Sequence, residues 1–193
     1  MELVFATNNP HKLNEIRLIL GDRFLIKSLE DIGFQDEIPE NQVTLEGNAS
    51  QKAFWLYNRC RLDCFADDTG LEVEALNGEP GVYSARYAGS DKNPEANIRK
   101  LLERMAEINN RRARFRTMIS LVVNGEEKLF EGVTEGVILR EKKGTGGFGY
   151  DPVFMPDGCD ITFAEMDLSE KNRISHRGRA VGMLAEYLKH LED

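Results

Sequence analysis

The chain has 193 residues, 41% of them hydrophobic and 30% charged, with a formal net charge of -8 at pH 7. That length can bury a substantial core as one domain, 1–193, and the composition is that of an ordinary globular protein. The acidic balance excludes general nucleic-acid coating and adhesion to an anionic membrane, which need a basic face, but leaves room for one basic pocket that takes an anionic small ligand.

The apolar runs are too short to span a bilayer, and the N-terminus reads directly as a strand with no signal-peptide pattern. Cys60, Cys64 and Cys159 form neither a disulfide framework nor a zinc pattern, so free core cysteines and a cytoplasmic location are expected.

Glu2 to Ala6 reads as a buried strand, followed by the polar turn Thr7-Asn8-Asn9-Pro10-His11-Lys12 and a helix with Leu13, Ile16 and Leu20 on one face. Pro10 suits a first helical turn, whose outward amides and dipole can hold phosphate, and Lys12 adds a full charge. N-capping by Asn8 or Asn9 beside a solvated lysine would explain the same residues. Arg23 to Ser28 returns as a strand. The acidic segment from Glu30 to Glu46 is broken by Pro39 and leads into a helix over about Thr44 to Arg59, with Lys52 two turns in. Most of its acids suit solvated surface, yet a loop carboxylate such as Glu40 can swing toward a metal held at Asp68.

The apolar run containing Cys64 and Phe65 ends in Ala66-Asp67-Asp68-Thr69-Gly70-Leu71. Two adjacent carboxylates are expected there where a buried strand gives way to a turn, and their repulsion is relieved by a proton or by a hard ion such as Mg2+. An Asx-type turn, in which either aspartate caps backbone amides, is the structural alternative. Leu71 to Leu76 alternates as another strand, Asn77 to Gly81 turns, and a helix is expected from Asn93-Pro94 to about Ile108. Arg114 and Arg116 alternate with Phe115 and Thr117, which places them on the outer face of a strand over Ala113 to Val123. Asn124-Gly125 is a type I′ hairpin signal, and Lys128 to Phe130 and Val133 to Arg140 supply further strands. The pattern is α/β with a strand-rich second lobe.

Four glycines fall within six residues in Gly144-Thr145-Gly146-Gly147-Phe148-Gly149-Tyr150-Asp151-Pro152. They let backbone approach a ligand, with Phe148 as a stacking surface and Asp151 as an acceptor; a merely flexible loop is the bland alternative. Lys171 to Arg179 is a basic cluster at the head of an amphipathic helix running to Leu191, with Ser175 as its N-cap. Cations crowded there suit an anion, or solvent. Together these stretches favour a nucleoside phosphate with Mg2+, without choosing between hydrolysis, phosphoryl transfer and binding.

In order along the chain, Thr7-x-Asn9-x-x-Lys12, Ala66 to Leu71, Pro80 to Tyr87, Gly144 to Pro152 and Ser175-His176-Arg177 resemble the signature series of the inosine triphosphatase family. Thr69 stands where many relatives have serine, and Leu45-Glu46-Gly47-Asn48-Ala49 is a variant helix entry. The resemblance implies an elongated α/β fold with a mixed sheet in two lobes around a central nucleotide cleft, typically a homodimer. It implies hydrolysis of ITP, dITP and XTP to the monophosphate and pyrophosphate. A pyrophosphatase for another modified or pyrimidine nucleotide and a non-catalytic nucleotide-binding regulator are the rivals. Carried over residue by residue, Thr7, Asn8, Asn9, Pro10, His11 and Lys12 hold the triphosphate, and Glu40 and Asp68 hold Mg2+, with Glu46 in reserve. Asp68 is also the general base. Lys52 and Lys171 contact phosphate or sugar, Thr69 hydrogen-bonds the nucleotide, and Phe148, with Gly149 and Tyr150 beside it, stacks on the purine. His176 or Arg177 donates to the C6 carbonyl, and Asp151 accepts from N1.

Overall fold

The computed structural model describes residues 1–192 of the chain. Strand β1 (Glu2–Phe5) pairs in parallel with β2 (Leu25–Lys27) and with the start of β3 (Cys64–Val73). Helix α1 (Pro10–Leu20) connects β1 to β2; Asn9 caps it by accepting the amides of His11 and Lys12, and Pro10 occupies its first turn. Helix α2 (Leu45–Cys60) precedes β3 and is capped by Thr44. Strand β4 (Pro80–Gly81) and helix α3 (Pro94–Arg104) follow. Next come β5 (Arg112–Val123), β6 (Glu126–Ile138), β7 (Phe154–Pro156), α4 (Leu168–Ile174) and α5 (His176–Glu192). The sheet runs β2-β1-β3-β5-β6-β7, with β4 on β3. Its pairs at β1 are parallel and those of β4 and β7 antiparallel, so the fold is α/β with a mixed sheet, as expected. Among the described residues no helix is long and apolar enough to cross a membrane.

The chain divides into two compact units. The first comprises Met1–Asp68, Thr117–Gly132 and the chain from Arg177 onward; the second comprises Thr69–Arg116 and Val133–His176. In the first unit, strand alternation sorts the core into two clusters. Leu3, Phe5 and Phe65 pack with Ile16 of α1 and Val181 and Leu184 of α5, while Val4, Ala6, Cys64 and Ala66 pack with Ala53 and Leu56 of α2. Phe5 and Phe65, which are register partners, stack with centroids 4.6 Å apart. In the second unit Leu71 and Val73 pack with Ile98, Leu101, Met105, Phe115, Phe154 and Phe163.

Several elements differ from the sequence expectations. The acid pair does not sit at a strand end, because β3 runs unbroken through Asp67, Asp68, Thr69 and Gly70 to Val73. Gly70 reads as a turn residue but serves close approach: a Cβ there would lie 2.6 Å from the Gly81 carbonyl oxygen. The two strands expected over 128–140 are one, β6. Helix α3 stops at Arg104, short of Ile108. Strand β7 and helix α4 carry no periodic signal long enough to mark them, and Lys171 and Arg173 therefore lie on α4 rather than at the head of α5. The 124–125 hairpin forms as its sequence demands, with φ of 52° at Asn124 and 86° at Gly125.

Candidate active site

Alternation along β3 separates the two aspartates as it separates the core. Asp67 follows the parity of Phe65 and faces the helices α1 and α5; Asp68 follows Cys64 and Ala66 and faces α2. Their partners differ accordingly. Asp67 Oδ1 accepts the Lys12 ammonium at 2.8 Å and Oδ2 the Arg177 Nε at 3.2 Å. Arg177, only 1% exposed, also donates through Nη1 to Glu15, one turn beyond Lys12 on α1. Asp68 Oδ2 accepts the Asn48 amide at 2.9 Å, and its Oδ1 lies 3.7 Å from Lys52 Nζ, which pairs with Glu40 Oε1 at 2.5 Å.

This wiring sets the two carboxylates to different tasks. Burial would raise the pKa of Asp67, but Lys12 and Arg177, with Lys52 behind them, hold it well below the usual carboxylate range. Asp67 is therefore a fixed anion. Burial raises the pKa of Asp68 despite Lys52, Lys12 and the Asn48 hydrogen bond, and the charge of Glu40 pushes the same way. Lys52 shows the converse: burial opposes its charge, yet Asp68 and Glu40 raise its pKa. Lys12 is lowered by burial even though Asp67 supports its charge. Arg177 stays charged because Glu15 and Asp67 outweigh its burial.

The donor set also suits Mg2+. Glu40 and Asp68 share Lys52 as neighbour, and after burial the charge of Glu40 also pushes the pKa of Asp68 up, so the two carboxylates repel each other and a hard cation would relieve them. Mg2+ commonly uses one or two protein carboxylates and takes its remaining ligands from water and substrate phosphates. Glu46, in the first turn of α2, is half-buried.

The predicted phosphate turn is built as a capped helix start. Thr7 Oγ1 accepts the Asn9 N–H at 3.2 Å, Asn9 Oδ1 accepts the amides of His11 and Lys12, and Asn8, Pro10 and His11 are exposed. The structure thus brings Lys12, Lys52, Glu40, Asp68 and Arg177 into one network within the first unit. Glu15 and Asn48, both buried, belong to that network but carry no role in the sequence reading. A trace of each is visible: Glu15 lies a turn from Lys12 beside the apolar Ile16, and Asn48 lies four residues before Lys52 along the edge of the apolar face of α2.

In the second unit the remaining predicted residues cluster around Asp151. Its Oδ2 accepts the Phe148 N–H at 2.8 Å and Lys171 Nζ at 2.7 Å, so this buried carboxylate organises the glycine-rich loop. Gly147, at φ 68°, leaves the space that Asp151 fills, since a Cβ there would collide with Oδ2. Lys171, on the capped helix α4, also lies 4.8 Å above the centre of the Phe148 ring. Gly149 takes φ 62°, and Tyr150 turns inward, donating its hydroxyl to the Ser84 carbonyl at 2.9 Å. His176 stacks on Phe115 with centroids 4.5 Å apart. Thr69, half-buried, is the next residue in β3 after Asp68.

Buried cations around a low-pKa carboxylate, next to a second carboxylate whose pKa is raised, are the equipment of an α/β enzyme that works on phosphorylated ligands; a structural turn has no need of them. Residues 3–187 match the Ham1 family. A dITP/XTP pyrophosphatase of Christiangramia forsetii is 54% identical, with 97% of this chain and 99% of that protein covered. Among solved structures, the Ham1 protein of Staphylococcus aureus superposes with a TM-score of 0.89 at 40% identity, covering 98% of this chain and 99% of its own. A HAM1 protein from Coxiella burnetii gives 0.90 at 38% identity with the same coverage. The chain belongs to the Ham1 family, and the resemblance carried by its motifs extends over nearly its whole length.

Proposed function

We propose that this protein hydrolyses noncanonical purine nucleoside triphosphates, namely ITP, dITP and XTP, to the monophosphate and pyrophosphate. The observation that carries the reading is the unequal pair on β3: a fixed anion at Asp67, a carboxylate of raised pKa at Asp68, and two lysines beside them. The name dITP/XTP pyrophosphatase borne by relatives that align end to end supports the choice of substrate.

The reaction asks for charge neutralisation and a proton acceptor. Asp68 takes a proton from the attacking water, the water's oxygen bonds to the α-phosphorus, and the α–β bridging bond breaks with its electrons leaving on pyrophosphate. A raised pKa brings a carboxylate toward the range in which it works as a base. Lys12, held by Asp67, and Lys52, held between Glu40 and Asp68, offset the charge of the triphosphate. Glu40 and Asp68 would hold Mg2+, which supplies a divalent charge to the phosphate oxygens. Phe148 offers a ring for the purine, backed by Lys171, and His176 is the donor that answers a C6 carbonyl, which adenine lacks. Each mismatched buried polar pair costs on the order of 1–3 kcal/mol, about tenfold to a hundredfold in discrimination.

The three cysteines are free, in keeping with a cytoplasmic enzyme, and we take it to be a homodimer, which light scattering would test. The deciding assay is chromatographic, with Mg2+ and a panel of ITP, dITP, XTP, GTP, ATP and CTP. Inosine or xanthosine monophosphate with pyrophosphate, and ATP largely spared, is the expected outcome. Orthophosphate with a diphosphate would place the cut elsewhere, and binding without any product would make the protein a nucleotide-binding regulator.

A further inference from the structure

We propose that Asn48 is a positioning residue that fixes Asp68 relative to the loop carrying Glu40, an inference that rests on the pyrophosphatase reading of this site. Asn48 is 1% exposed and lies one turn before Lys52 on α2. Its Oδ1 accepts the Gln42 N–H at 2.9 Å, and its Nδ2 donates to Asp68 Oδ2 at 2.9 Å. Each contact enforces the other. With the amide oxygen committed to a backbone N–H, only the nitrogen can face the carboxylate, and Asp68 meets a donor in a fixed place. One short planar group thus ties Asp68 to backbone two residues beyond Glu40.

The same helix holds the rest of that loop. Gln51 clamps Asn41 twice, accepting its N–H at 3.2 Å and donating to its Oδ1 at 2.8 Å. Gly47 lets the loop lie against the first turn of α2, since a Cβ there would fall 2.9 Å from Gln42 Cβ. Lys52 reaches Glu40 and Asp68, but a long ammonium side chain sets no distance between them. Asn48 does, and the gap between the two carboxylates decides whether both can ligate one ion. Groups that orient metal ligands typically matter by about 10-fold to 100-fold in affinity or activity.

Three variants test this: Asn48→Ala, Asn48→Asp and, as a control, Gln51→Ala. Each is measured for Mn2+ affinity in the nucleotide-free protein by electron paramagnetic resonance, for amide exchange at residues 40–42, and for kcat and KM with ITP. Asn48→Ala is expected to weaken Mn2+ binding and lower kcat by about 10-fold to 100-fold, with KM within about threefold and faster exchange at Gln42. Asn48→Asp keeps the acceptor for Gln42 and loses the donor to Asp68, so kcat falls while the Gln42 amide stays protected. That nearly isosteric variant decides the matter if the alanine form does not fold. Gln51→Ala speeds exchange at Asn41 yet leaves Mn2+ affinity and kcat within about threefold. Wild-type Mn2+ affinity and kcat in folded Asn48→Ala, or wild-type kcat in folded Asn48→Asp, would overturn the proposal, as would a Gln51→Ala loss equal to that of Asn48→Ala. Wild-type protein that turns over none of the triphosphates would defeat the pyrophosphatase reading, and the metal-affinity and exchange measurements would still decide the role of Asn48.

Discussion

Asp67 and Asp68 are consecutive residues of one strand and answer to different sides of the sheet, the first to Lys12 and Arg177, the second to Asn48 and Lys52. Peptide neighbours in a strand cannot both point one way, so adjacency in sequence becomes a division of labour in space. The lysines meet near the pair: Lys12 and Lys52 each act on both carboxylates.

If Asp68 is the base, Asp68→Asn removes the proton acceptor while keeping shape. Turnover of ITP should fall by at least about 10²-fold to 10⁴-fold, the usual worth of general base catalysis. Nucleotide affinity, measured by calorimetry without added divalent metal, should hold within about tenfold, because the lysines remain and one repelling charge is gone. Turnover within about threefold of wild type would remove Asp68 from the role.

Asp67→Asn should act first on stability. The wild-type carboxylate is 1% exposed between two cations, and its neutralisation removes the ion pairs it makes with Lys12 and with Arg177. Breaking a buried pair from one side costs about 3–5 kcal/mol, readable as a shift in urea midpoint. The pH dependence has a definite sign. A folded pKa held below the ordinary carboxylate value gives stability that is fully present above about pH 4 and is lost as pH falls through that value toward the lower folded one. The wild-type advantage over Asp67→Asn should therefore be full at about pH 6 and shrink at about pH 3.

Much of this arrangement is legible in the sequence. The first strand, the Asn9 cap with Pro10 behind it, the entry of α2 and the Asn124-Gly125 hairpin are local devices, and local devices are written locally. The acid pair and the glycine-rich loop announced themselves by residue type. The partners did not. Lys171 reads as one of a run of basic residues, yet it is 3% exposed and spent on Asp151, 20 residues earlier in the chain. Arg177 reads as a ligand donor and is sealed between Glu15 and Asp67, 162 and 110 residues away in sequence. Burial of a charge depends on an opposite charge brought in by the fold, and no spacing rule records it.

Gly70 has the residue type of a turn but lies within β3, and its substitution makes a clean test of the unbroken strand. Its φ lies outside the left-handed region, so alanine meets no backbone strain there, only the Gly81 backbone across the β3–β4 pair. Because that neighbour is backbone, it yields only if β4 shifts. Gly70→Ala should lower stability by about 1–3 kcal/mol, the range for overpacking, and thermal unfolding will register it. Gly78→Ala is no fair comparison, since Gly78 sits at φ 86° and would report strain instead.

Phe148 presents a half-buried ring whose one face is met by the Lys171 ammonium and whose backbone N–H is pinned by Asp151. A ring held that way is ordered at little further conformational cost, and under the proposed function the purine stacks on it. Base–aromatic stacking is worth about 1–3 kcal/mol, which corresponds to roughly fivefold to 140-fold in affinity. Phe148→Ala should therefore raise KM for ITP and XTP within that range while changing kcat by less than about threefold, since no atom of the ring touches the reacting phosphorus in the proposed mechanism. Phe148→Tyr, which keeps the π-face, should restore KM. A kcat loss in the alanine variant with KM unchanged would mean that the ring acts on the geometry of the reaction, and the base would have to be held elsewhere.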